Sequence, residues 1–122
     1  MIDSLENRDG SITMKINEKG KLMNLSYNIE KLELPKLSKW DGLWRVVLFD
    51  IPEYRKKARD TLSFKLKQLG FYPIQKSVFV YPHECQRELD FIIEFFELRP
   101  YVRFMRVKEI DVDLHLKEIF NL

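Results

Sequence analysis

Cysteine is nearly absent from this chain. One residue in 122, Cys85, excludes an internal disulfide and a cysteine-based zinc site. Glycine is sparse as well: Gly20, Gly42 and Gly70 stand isolated, so no glycine-rich loop is present to cradle a phosphate. The two histidines, His83 and His115, have no acid or cysteine at ligand spacing and read as ordinary surface residues. No apolar run approaches the roughly 18–20 residues that span a bilayer. The opening MIDSLENRDG carries acids early and lacks the apolar centre of a secretory signal. These absences leave no membrane partner and make the cytoplasm the expected location.

What is present suits a soluble folded chain. Apolar residues make up 45% and charged residues 33%, and the length is enough for one compact domain with one core. The net charge of +2 is spread unevenly. Between Arg55 and Lys67 lie Arg55, Lys56, Lys57, Arg59, Lys65 and Lys67 against one acid, Asp60. From Glu84 to Glu97 the sign reverses, with Glu84, Glu88, Asp90, Glu94 and Glu97 against Arg87, and then Arg99, Arg103, Arg106 and Lys108 follow. Such alternation makes either one basic face able to hold phosphates or two solvated helix surfaces of opposite sign.

Residues 1–42 read as a small N-terminal extension. Asn7-Arg8-Asp9-Gly10 signals a tight hairpin, Ser11 to Ile16 alternates, residues 21–27 suit a short helix, and residues 28–42 form a connector interrupted by Pro35. The main domain spans residues 43–122. Its first strand, 43–50, sends Trp44, Val46 and Leu48 one way and Arg45, Val47 and Phe49 the other, the pattern of a central strand. Ala58, Leu62, Leu66 and Leu69 stripe a helix over 53–69 that Gly70 caps. Residues 71–81 are β-rich, with Pro73 pointing to an edge position and a turn near Gln75-Lys76. A second helix over 83–98 turns Leu89, Ile92, Ile93 and Phe96 inward, Pro100 ends it, and a last strand (101–107) and short helix (112–120) follow. The order is β-α-β-β-α-β: an α+β, ferredoxin-like sandwich with helices on one face of the sheet. The other face, carrying residues such as Phe49 or Trp44, needs burial elsewhere, and a homodimer joined through the sheet supplies it.

The first strand ends on a carboxylate, Asp50, in LWRVVLFDIPE. Two roles suit it. Asp50-Ile51-Pro52-Glu53 has capping-box spacing, in which an acid accepts from orphan helix amides. Alternatively, two Asp50 carboxylates meet across a dimer axis and hold Mg²⁺, an ion that one carboxylate binds poorly, and the ion activates water beside a phosphate. Trp40 and Trp44 flank Asp41-Gly42 and either anchor the connector to the core or stack on a base. Cys85 belongs to the second helix with no histidine partner to activate it.

LFDIP at 48–52, Arg55 and Arg59 on a basic helix, LG at 69–70, QKSVFV at 75–80 and YVRF at 101–104 together resemble the small CRISPR-associated endonuclease, the adaptation subunit that accompanies the integrase. The likeness covers about residues 43–107. It implies the ferredoxin-like fold, a symmetric homodimer, and a strand-ending acid that supports metal-dependent cleavage of RNA or DNA in some members. In others the dimer is a scaffold that spaces the integrase subunit on DNA. Carried over, Asp50 is the catalytic and metal-holding residue with Mg²⁺. Arg55, Lys56, Arg59 and Lys76 contact nucleic acid, and Ser77 and Phe79 shape the site. KWDGLWRVVLFDIPE at 39–53 resembles, more closely, the central domain of phenylacetate-degradation repressors, a relative of the same fold placed behind a winged helix. SITMKINEKGKLMNL at 11–25 is similar to the wing and following helix of such a domain, with no recognition helix before it. The leading expectation is a homodimeric CRISPR-associated endonuclease or integration scaffold. The alternative is the non-catalytic core of a repressor-type regulator.

Overall fold

The computed structural model describes residues 29–35 and 39–122. The chain divides between Leu32 and Glu33, and the unit from Glu33 onward is the subject below. The hairpin and short helix expected over residues 1–27 lie outside the described residues.

Strand β1 (Trp44–Phe49) leads through a 3₁₀ turn (Glu53–Arg55) into helix α1 (Lys56–Leu69). Strands β2 (Tyr72–Gln75) and β3 (Val78–Tyr81) form a hairpin, followed by helix α2 (Gln86–Phe95), a 3₁₀ turn (Arg99–Tyr101), strand β4 (Val102–Val107) and helix α3 (Asp113–Phe120). The sheet order is β2-β3-β1-β4, with every neighbouring pair antiparallel. β1 and β2 therefore run parallel with β3 slotted between them, the split crossover of a ferredoxin-like α+β fold. Pro73 sits on the edge strand, where its missing N–H breaks no inner ladder, and the β2–β3 register shifts between Pro73 and Gln75.

Helix α1 buries Leu62 and Leu66 completely and stops at Gly70. Gly70 has φ +111°, and its N–H reaches the carbonyls of Leu66 and Lys67. A Cβ there would lie 3.4 Å from Tyr81 Cε1 and impose a φ that side chains resist. Gly70→Ala should therefore lower stability by about 1–2 kcal/mol. Urea unfolding checks this, and an unchanged midpoint would contradict the assignment.

Helix α2 is shorter at both ends than the sequence pattern suggests. Pro82 and His83 belong to the preceding loop and Cys85 is the N-cap position. At the other end Glu97 turns left-handed, φ 55°, with Glu97 N–H donating to Glu94 O and Leu98 N–H to Ile93 O. This is a Schellman closure made without glycine. Leu98, fully buried, makes the reversal worthwhile by returning an apolar side chain to the core.

The two faces of β1 separate as its alternation requires. Val47, Phe49, Phe79 and Val102 share one face and are buried, as are Leu62, Leu66, Leu89, Ile92 and Ile93 on the helices above it. Phe49 stacks on Phe79 there, with centroids 5.8 Å apart, so it lies on the helix-covered side. Trp44, Val46 and Val80 lie on the opposite face and cluster with Leu116 of α3. The terminal helix thus covers the Trp44 end of the face for which burial against a partner was expected. Farther along it, Leu48 and Val78 are half-buried and Met105 is 43% exposed. Among the described residues, no helix is long and apolar enough to cross a membrane.

Candidate functional site

Asp50 stands where the central strand emerges between two loops. The amide of Phe49 donates to Ser77 O (3.1 Å) and the amide of Asp50 to Tyr101 O (2.9 Å), so the β2–β3 turn and the α2–β4 loop both grip the strand end. The Asp50 side chain is exposed. Pro52 is extended at φ −65°, ψ 157°, and delays the helix by one 3₁₀ turn. Neither that turn nor α1 has a side-chain cap, so the capping box is not made. Glu53 instead pairs with Arg59 at 3.3 Å. Among the described residues, the Asp50 carboxylate has no hydrogen-bond or ion-pair partner.

The basic residues are only partly gathered at this end. Arg55 sends Nη1 to Glu97 O (2.9 Å) and Nη2 to Phe96 O (3.0 Å). A cation thus closes the carbonyl end of α2, where the helix dipole favours it. Arg59 lies between Glu53 and Asp60, and Lys56 pairs with Asp60 at 3.6 Å. Lys76 is exposed in the β2–β3 turn beside Ser77, whose carbonyl holds β1. Phe79 is buried beneath, against Phe49. The structure therefore brings Asp50, Lys76 and Ser77 to one end of the sheet. It commits the Arg55, Arg59 and Lys56 side chains to contacts within the chain.

Three residues absent from the sequence-based site join this end. Tyr54 is 82% exposed, and its hydroxyl lies 3.4 Å from that of Tyr101. Arg55 stands over the Tyr101 ring at 5.8 Å. Arg103, exposed on β4 opposite Leu48, donates to the Val102 carbonyl. The motif YVRF marked Tyr101 and Arg103 as part of a strand, and nothing local in the sequence tied them to Asp50.

The opposite end of the sheet is a polar clasp. Arg45, 3% exposed, sends Nη1 and Nη2 to the two oxygens of Asp41 (2.8 and 2.7 Å) and Nε to Glu84 (3.2 Å). Its Nη1 also meets the carbonyls of Leu43 and Pro82. Arg106 grips Glu84 from β4 at 2.6 Å. The hydrogen bond from Arg45 holds the Asp41 carboxyl down at about 2, and the one from Arg106 does the same for Glu84, also about 2. Trp40 packs on Trp44 with centroids 4.6 Å apart and donates to Leu43 O. Trp44 donates to Asp113 at 2.8 Å, and Lys117 lies over the Trp40 ring. The tryptophan pair anchors the connector to the core.

The remaining reactive groups are quiet. Burial raises the Cys85 thiol to about 12, far from the thiolate a nucleophile needs. His83 lies edge-on to Tyr81, and burial lowers its basicity. His115 meets the Tyr72 hydroxyl at 3.3 Å. Among the described residues, no three His, Cys, Asp or Glu side chains gather as a metal-holding group. Mg²⁺ needs several oxygens, so the residues of one chain alone do not fit that ion at Asp50.

Comparison with known proteins gives one family. The family model described as "PaaX protein central Cas2-like domain" matches residues 37–117. That stretch is well over half of the chain, and the chain belongs to this family. No curated protein and no solved structure matches it.

Proposed function

From membership in the PaaX central-domain family, we propose that this protein is the dimerisation core of a PaaX-type transcriptional regulator, acting without catalysis. The family match over residues 37–117 carries the reading. The hold of the Phe96 and Glu97 carbonyls on Arg55, and of Glu53 on the half-buried Arg59, supports it, because an enzyme cutting phosphodiesters needs cations free for phosphate. The partner is a second copy of the chain, meeting the stretch of sheet around Leu48 and Met105 that α3 leaves open. Light scattering should give twice the 14.8 kDa chain mass. Met105→Asp, which places a charge in that face, should give the single-chain mass with unchanged helix content. A wild-type protein that stays monomeric at high concentration overturns the proposal.

A second reading has its own observation. The Asp50 carboxylate is exposed and relieved of helix capping, so a partner's Asp50 could join it around Mg²⁺, in the manner of a CRISPR-associated nuclease. RNA and duplex DNA, incubated with wild type and Asp50→Asn with and without Mg²⁺, decide between the two. The regulator reading expects no Mg²⁺-dependent cleavage by either protein. Cleavage by wild type that Asp50→Asn abolishes would replace it with the nuclease reading.

A further inference from the structure

The solvent side of α1 carries an aromatic ring that the fold does not use. Phe64 is 66% exposed in the middle of the helix. Lys67 follows it by three residues, Thr61 and Asp60 precede it by three and four, and Gln68 follows by four, so all four flank its ring on the same helix face. Lys57 lies two turns before it on that face. Lys57 and Lys67 are exposed and have no ion-pair partner among the described residues. The one acid on this face, Asp60, is already neutralised by Lys56 and Arg59. The face is therefore positive, polar and punctuated by one aromatic.

Charge complementarity selects an anionic occupant. A docked protein helix reads a stripe of apolar anchors spaced at i, i+3, i+4 and i+7, and here the positions around Phe64 are Asp60, Thr61, Lys67 and Gln68. A lone ring between two free ammonium groups matches an unpaired base between its phosphates. In a duplex the base faces are already stacked on each other, so the ring would gain nothing there.

We propose that the outer face of α1 binds single-stranded nucleic acid, with Phe64 as the stacking platform for one base and Lys57 and Lys67 as phosphate contacts. This strip does not use Asp50 and does not depend on the regulator reading. The test is fluorescence anisotropy of the full chain with labelled oligo(dT), oligo(U) and a duplex of equal length. Phe64→Ala should weaken single-strand binding about tenfold, as expected for one lost stack, and leave duplex binding unchanged. Phe64→Trp should restore it. The double variant Lys57→Gln, Lys67→Gln should reduce the salt dependence of single-strand affinity by about 1.4 in log–log slope. All these positions are exposed, so thermal midpoints and oligomeric mass should match wild type, separating this test from that of the dimer. Equal single-strand affinity of wild type and Phe64→Ala overturns the proposal. So does an equal loss for duplex, or binding of an acidic polypeptide such as polyglutamate in place of either oligonucleotide.

Discussion

Arg45→Ala should unfold with about 3 kcal/mol less stability than wild type, near the low end of what breaking a buried ion pair costs. The low end applies because the partners are not equally buried. The Arg45 side chain is 4% exposed, whereas those of Asp41 and Glu84 are 53% and 44% exposed, so the orphaned carboxylates regain water. What water does not restore is the packing of the arginine stem and the hydrogen bonds to the Leu43 and Pro82 carbonyls. Arg45→Met should lose less, because it keeps the stem. A change within about 0.5 kcal/mol, the range of ordinary surface substitutions, would mean that the clasp contributes nothing.

The same variant has a signature in acid. Asp41 and Glu84 are both held near 2, below the ordinary carboxylate values near 4 that they regain on unfolding. Groups lowered by folding contribute stability that is fully present above the unfolded value and is lost as pH falls through the folded one. Wild-type stability should therefore decline between about pH 4 and pH 2 on account of this pair. In Arg45→Ala the Asp41 share shrinks to what the Leu43 amide hydrogen bond sustains, while the Glu84 share persists through Arg106. Urea midpoints across that range should show a shallower acid limb in the variant, though not a flat one.

The parts of this fold that were legible in the sequence are those fixed by neighbours along the chain. β1 reads as central because Trp44 to Phe49 is mostly apolar on both sides of its alternation, and the structure buries all of it but Leu48, which is half-buried. Gly70 marks the end of α1 because only glycine suits its φ. The end of α2 was not legible, since its reversal uses Glu97 in place of glycine and is driven by the burial of Leu98. The site divides the same way. Asp50 is visible as an acid ending an apolar run. Arg55 looks like a phosphate ligand until the carbonyls of Phe96 and Glu97, some forty residues away in sequence, are seen to occupy it. Arg45 is intermediate: its place beside Val47 and Phe49 follows from alternation and Asp41 lies only four residues before it, but Glu84 and the Pro82 carbonyl reach it from the next loop. Local periodicity places backbone, whereas the partners of a charged side chain are set by tertiary contacts.

Trp44→Ala should be the most damaging single change, at about 3–5 kcal/mol. Trp44 is 0% exposed, and three elements meet on it: Trp40 of the connector, Val46 and Val80 of the sheet, and Leu116 and Phe120 of α3. Truncation leaves a cavity that none of these fills without leaving the others. Trp44→Phe separates volume from polarity. It keeps an aromatic ring but removes the N–H that donates to Asp113, the chief reason that carboxyl is held below its usual range. Lys117 still pairs with Asp113 at 3.2 Å, so the polar loss is moderated and the total should stay near 1–2 kcal/mol. Because that hydrogen bond ties α3 to β1, Trp44→Phe should speed amide exchange from Leu116 to Asn121 while leaving the buried turn of α1 around Leu62 and Leu66 protected. Uniform acceleration across both helices would mean that α3 does not open as a separate unit, and that the sheet beneath it is bared only by global unfolding.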